Sequence, residues 1–171
     1  MTPTVGLADI LVLAVGNQLL SDDGVGMSLL DGLSRDARWE DRVEFVDGGT
    51  QGLALLGHLS GRRALIVLDA VASGAAPGTV HVAQWGGRST CGWISKRHAS
   101  TSHESSALDL LRFAALIGEL PEQVWIVGIE PERLNTGIGL SKAVCAAVPR
   151  ALREVKQLLQ ELCRDVPCHT R

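Results

Sequence analysis

The run Ile10-Leu-Val-Leu-Ala-Val15, closed by Gly16, Asn17, Asp22, Asp23, Gly24 and Gly26, constrains this chain more than any other feature. A strand that is apolar at every position has no face to offer water, so it must lie inside a sheet covered on both sides. Ala64 to Leu68 repeats the pattern, and Val43 to Val46, Thr79 to Gln84 and Val124 to Ile129 also read as strands. Most of the intervening segments are long enough for crossover helices. The expected fold is therefore a three-layer α/β/α sandwich around a mostly parallel sheet of about five strands. With 171 residues, the chain is long enough for one sizeable core and too short for two ordinary domains. Residues 1–171 are read as one domain, with the core at 10–163 and a frayed tail ending Cys168-His-Thr-Arg171.

Helix signals follow the strands. A helix is expected to start near Asp22, capped by that carboxylate, and to run through Val25, Leu29, Leu30 and Leu33. A shorter one is expected from Gly52 to Leu59. Thr101-Ser-His-Glu104 matches a capping box ahead of Leu108, Leu111 and Ala115, which puts His103 at a helix N-terminus. Val144, Val148, Ala151, Leu152, Val155, Leu159 and Leu162 form a long apolar stripe, and Pro149 predicts a kink or two abutting helices there. The segment from Gly86 to Ser100 is long for a connection and is expected to be functional or mobile.

Charge narrows the partners. The net charge is −3 and no lysine or arginine run is present, so there is no footprint for a nucleic acid or an anionic membrane. Cys91, Cys145, Cys163 and Cys168 lack CxxC spacing and read as reduced thiols, which suggests a cytoplasmic protein. The first residues lack a basic n-region, and the apolar run from Ile10 is far shorter than the roughly 20 residues a spanning helix needs.

Strand ends carry the chemistry. Asp47, Asp69 and Glu130 each follow an apolar strand, and Asp22 and Asp23 follow the first one after a short loop. In open α/β sheets ligands collect beyond the carboxyl ends of the strands. An acidic rim there repels phosphate and attracts a cation. Read singly, each acid is better explained as an N-cap or a turn residue, as Asp47-Gly-Gly-Thr50 illustrates, and only several acids converging with a histidine shift the balance. Two carboxylates converging with one imidazole form a borderline divalent-metal site with open positions. His103 suits that role, because a helix N-terminus disfavours imidazolium. His58, His81 and His98 have weaker contexts and are read as structural or surface residues.

Covalent catalysis ranks low. Ser102 and Ser105 flank His103 only in sequence, a G-x-S-x-G elbow is absent, and Cys145 is expected to be an inert thiol buried in the apolar stripe. Gly16, Gly24 and Gly26 fail the G-x-G-x-x-G spacing, so nucleotide binding of the Rossmann kind falls well behind a metal-centred reading.

Gly16-Asn-Gln-Leu-Leu-Ser-Asp-Asp-Gly-Val-Gly26 resembles the opening motif of the nickel-iron hydrogenase maturation endopeptidases. The likeness continues in order through Asp47-Gly-Gly-Thr-Gln-Gly52, Leu68-Asp-Ala70 with Pro77-Gly78, Ser102-His-Glu104, Gly128-Ile-Glu-Pro131 and Gly137-Ile-Gly-Leu-Ser141, covering about Ile10 to Leu152. The resemblance implies an α/β/α enzyme that removes the C-terminal extension of a hydrogenase large-subunit precursor after nickel insertion. It implies metal contacts at Asp23, Asp69 and His103, with Asp22 as the fallback for Asp23. Nickel would arrive with the precursor as the recognition signal, and the enzyme is expected to act as a monomer. The alternatives are a non-catalytic nickel-sensing chaperone of the precursor and, further behind, a nucleotide-binding Rossmann-like protein.

Overall fold

The computed structural model describes residues 8–86 and 107–164. The segment from residue 87, the capping box with His103, and His98, Ser102, Ser105, Cys91, Cys168 and the tail lie outside the described residues. In chain order the elements are β1 (Ile10–Val15), a 3₁₀ turn (Ser21–Gly24), α1 (Val25–Ser34) and β2 (Val43–Gly49). A 3₁₀ turn (Gly52–Leu55) then leads into α2 (Leu56–Leu59), followed by β3 (Ala64–Ala70) and β4 (Val80–Gln84). The last three are α3 (Ala107–Ile117), β5 (Gln123–Ile129) and α4 (Lys142–Arg164).

The sheet runs β2-β1-β3-β5-β4, with β4 antiparallel to β5 and every other pair parallel. All six residues of β1 and all seven of β3 are buried, as the unbroken apolar runs at Ile10–Val15 and at 64–68 require; Asp69 is buried with them. Successive side chains alternate between the faces. Ile10, Val12, Ala14, Ile66 and Leu68 pack under α1 and α4 against Leu29, Leu33, Val144, Val155 and Leu159. Leu11, Leu13, Leu65 and Val67 face the other way, against Leu55, Leu59, Leu110 and Leu111. Truncating such a leucine to alanine costs about 2–5 kcal/mol. The three layers and the mostly parallel sheet are those the sequence predicts.

Several boundaries differ for physical reasons. β2 extends to Gly49 and β3 to Ala70, so Asp47 and Asp69 lie inside strands, because parallel pairing with β1 and β5 continues past the apolar run. The expected Gly52–Leu59 helix is half 3₁₀. α4 is one helix through Pro149 rather than two abutting ones. Pro149 is exposed, and so is Cys145, whose carbonyl loses the proline's missing N–H and can turn to water instead. Cys145 is correspondingly not the buried thiol expected, since it lies off the stripe of Val144, Ala147 and Ala151. Cys163 is the buried one, and neither forms a disulfide.

Candidate active site

Strand order reverses between β1 and β3. The chain leaves β1 towards β2 on one side, while β3 leads towards β5 and β4 on the other. Such a switch point opens a crevice beyond the carboxyl ends of the two strands. Asp23 follows β1 there and Asp69 is the penultimate residue of the adjacent β3. The Ser21–Gly24 turn packs on β3. Two glycines permit this closeness. A Cβ on Gly26 would stand 2.6 Å from both the Val15 and Leu68 carbonyl oxygens, and Gly16, at φ 125°, has the Asp23 carbonyl oxygen 2.1 Å from where its Cβ would be. No larger residue lets α1 begin this near the strand ends.

Asp22 does not cap α1, whose first turn has no side-chain cap. Its side chain is fully buried and faces the loop between β5 and α4 instead. Oδ2 accepts the amides of Glu132 at 2.9 Å and Arg133 at 3.0 Å, and Oδ1 accepts that of Ser141 at 2.6 Å. Ser141 in turn caps α4, its Oγ accepting the Val144 amide at 3.3 Å. Burial pushes the Asp22 carboxyl up, but the Ser141 and Arg133 amides, the Ser141 hydroxyl and the Glu132 amide outweigh it. The net result lies below the usual aspartate value. The backbone is laced alongside: Ser21 N donates to Gly137 O at 2.8 Å, Gly137 N to Leu19 O at 2.9 Å and Ser21 Oγ to Asn135 O at 3.0 Å. These bonds hold Ser21 at φ 52°, a left-handed conformation rare outside glycine.

Asp23, one residue on, is half-buried and takes the Asn17 amide on Oδ2 at 2.7 Å. Asp69 is buried, and by alternation its side chain leaves the sheet on the face of Leu65, Val67 and α3. α3 ends just before β5 begins, and β5 runs parallel to β3, so the N-terminal end of α3 lies at the rim that Asp69 occupies. The structure thus brings Asp23 and Asp69 to one rim. His103 precedes Ala107 by four positions and lies outside the described residues. Among the described residues no three His, Cys, Asp or Glu side chains form a metal-holding group.

The other rim acids have local duties. Asp47 is exposed and accepts the Gly49 amide at 3.0 Å, a short turn contact. Glu130 is buried and bonded through both oxygens. Its Oε2 receives the Ser73 amide at 2.9 Å and hydroxyl at 2.7 Å and contacts His81 Nε2 at 3.0 Å, while Oε1 receives the Gly74 amide at 2.9 Å. Burial pushes the Glu130 carboxyl up, and the Ser73, Gly74 and His81 bonds bring it below the usual glutamate value. Ser73 Oγ and His81 Nε2 address the same carboxylate oxygen, so the trio is no Ser-His-Glu relay, in which the histidine would stand between the other two. It ties the loop after β3 to the end of β5. His58 is a surface residue 3.9 Å from Glu44. Sequence reasoning missed Ser73 and the clamp made by Asp22. Only the Ser141 cap had a local signal, a serine directly before a helix.

Comparison with known proteins agrees with this fold. The family model described as hydrogenase maturation protease matches residues 27–158. The chain is 35% identical over 153 residues to the hydrogenase 2 maturation protease of Escherichia coli K12, covering 89% of this chain and 91% of that protein. It is 34% identical over 154 residues to the hydrogenase expression/formation protein HoxM of Azotobacter vinelandii, covering 90% of this chain and 73% of that protein. The solved structure of the hydrogenase maturating endopeptidase HybD from E. coli superposes with a TM-score of 0.72 at 33% identity, covering 89% of this chain and 92% of that one. Sequence and fold converge: the chain belongs to the hydrogenase maturation protease family, and these matches support an endopeptidase.

Proposed function

We propose that this protein removes a C-terminal extension from the large-subunit precursor of a nickel-iron hydrogenase, and that nickel carried by the precursor is the signal it reads. What supports this reading is that Asp23 lies in the turn that follows β1 and Asp69 is the penultimate residue of the adjacent β3, at the end of the sheet where the strand order reverses. Two carboxylates with the imidazole of His103 make an oxygen and nitrogen donor set suited to a borderline divalent ion that keeps open positions. In this reading the three side chains hold the precursor's metal, and the scissile peptide is fixed beside them in a crevice that limits its orientations. That positioning is the protein's contribution to hydrolysis, and the nickel in the substrate supplies Lewis acidity. The protein acts as a cytoplasmic monomer. The binding of nickel is transient and belongs to the substrate.

The test is incubation of purified protein with nickel-loaded and nickel-free precursor, followed by mass. Loss of the extension is expected only from the loaded form. Asp23→Asn, Asp69→Asn and His103→Ala are each expected to slow it about a hundredfold or more. Equal cleavage of the nickel-free precursor would remove nickel as the signal, and retained cleavage in all three variants would remove the site. Tight binding with no change of mass would instead mean a chaperone that inspects the precursor without cutting it.

A further inference from the structure

We infer that Leu19, Leu134 and Ile138 form a docking surface for a non-polar stretch of the polypeptide substrate, next to its scissile bond. The inference rests on the proposed cleavage at the Asp23 and Asp69 rim. These side chains are 61%, 42% and 86% exposed, unusually open for large aliphatic residues in a chain with a well-filled core. Single exposed leucines are ordinary, but these three occupy two loops bonded to each other. Leu19 O takes the Gly137 amide, Ile138 follows Gly137, and Leu134 follows Arg133, whose amide is held by Asp22 and whose carbonyl takes the Asp22 amide. The exposed apolar groups therefore stand on backbone fixed by a buried carboxylate, so binding there has little loop ordering to overcome.

Position identifies the occupant. The Asp23 amide bonds to Leu20 O at 3.2 Å, so the patch begins about two to three residues of extended chain, roughly 7–10 Å, from Asp23. An endopeptidase must draw a polypeptide across its rim, and a substrate cut beside Asp23 passes over Leu19 and Ile138 within that span. The molecule has a second exposed apolar group, Phe113, Leu116 and Ile117, but it lies at the C-terminal end of α3, near the start of β5 and away from the rim. It serves as the internal control.

The experiment measures affinity for the purified nickel-loaded precursor by calorimetry, together with the steady-state kinetics of its cleavage. Leu19→Ser combined with Ile138→Asp is expected to raise Kd and KM at least about tenfold, with kcat at saturation unchanged and the urea midpoint near that of the parent. Ile138→Val is expected to restore most of the affinity when Leu19 is kept. Leu116→Asp is expected to leave Kd and KM unchanged. Parental affinity in the double variant, or an equal loss in Leu116→Asp, would overturn the inference, as would a parent protein that does not bind the precursor. A parent that binds the precursor without cutting it would defeat the proposed cleavage while the affinities still decide the patch.

Discussion

Asp22 gives both carboxylate oxygens to three amides of the loop between β5 and α4, whereas Asp23 takes the backbone amide of Asn17 in its own loop and stands half-buried on the rim. Two adjacent residues of the same type differ so much because the turn carrying them is 3₁₀. At three residues per turn, neighbours point about 120° apart. One carboxylate therefore enters the seam between two loops while the next looks out over β3. Identity of side chain does not decide the role here. The direction each carboxylate takes from the turn does: Asp22 enters the seam and fixes the loop between β5 and α4, while Asp23 stays half-buried at the rim and holds the Asn17 amide.

The sharpest way to break this contrast is Asp22→Ala. It leaves the amides of Glu132, Arg133 and Ser141 without their acceptor in a buried seam. Each orphaned donor costs on the order of 1–3 kcal/mol, and the loop relaxes in part, so the expected loss is about 3–5 kcal/mol. Urea unfolding followed by circular dichroism measures it. A loss below about 1 kcal/mol would mean that the seam is wet and that Asp22 is no clamp.

Acid sharpens the comparison with a smaller effect. Asp22 and Glu130 are both held below their ordinary values in the folded protein. The unfolded chain therefore takes up protons first as pH falls. The stability these groups contribute is complete above their unfolded values, about 3.9 and 4.3, and is lost as pH drops from there through the lower folded values. Unfolding free energy measured from pH 6 down to pH 2.5 should fall below about pH 4.5, and Asp22→Asn should flatten part of that slope. An unchanged slope in the variant would show that Asp22 carries no such linkage.

The architecture was legible because burial on both faces leaves a mark at every position of β1 and β3, and because helix stripes repeat at fixed spacing. The end of the sheet was legible in the same way, since an apolar run that gives way to polar residues marks where a buried strand finishes, although Asp69 proved to lie one residue inside β3 rather than after it. The Asp22 clamp was not legible. Its partners are 110, 111 and 119 residues away and are backbone amides, which every residue except proline possesses. The partners of Glu130 were not legible either. Its place after an apolar strand put it among the rim acids, but its oxygens bond Ser73, Gly74 and His81, and nothing in their local sequence announces that meeting. At Pro149 the helix continues, because the proline's cost depends on whether the carbonyl it strands meets protein or water.

The smallest stability effect is expected where the functional effect is largest. Asp23→Asn keeps an oxygen able to accept the Asn17 amide, and the half-buried position leaves the new amide group room to meet water. The change in unfolding free energy should stay within about 1 kcal/mol, measured in the same urea series as Asp22→Ala. With precursor processing abolished in that same preparation, stability and activity would part company between residues 23 and 22. A loss as large as that of Asp22→Ala would instead make both acids members of one structural seam. The failure of Asp23→Asn to process precursor would then reflect a collapsed rim, and the metal-holding role would rest on Asp69 and His103 alone.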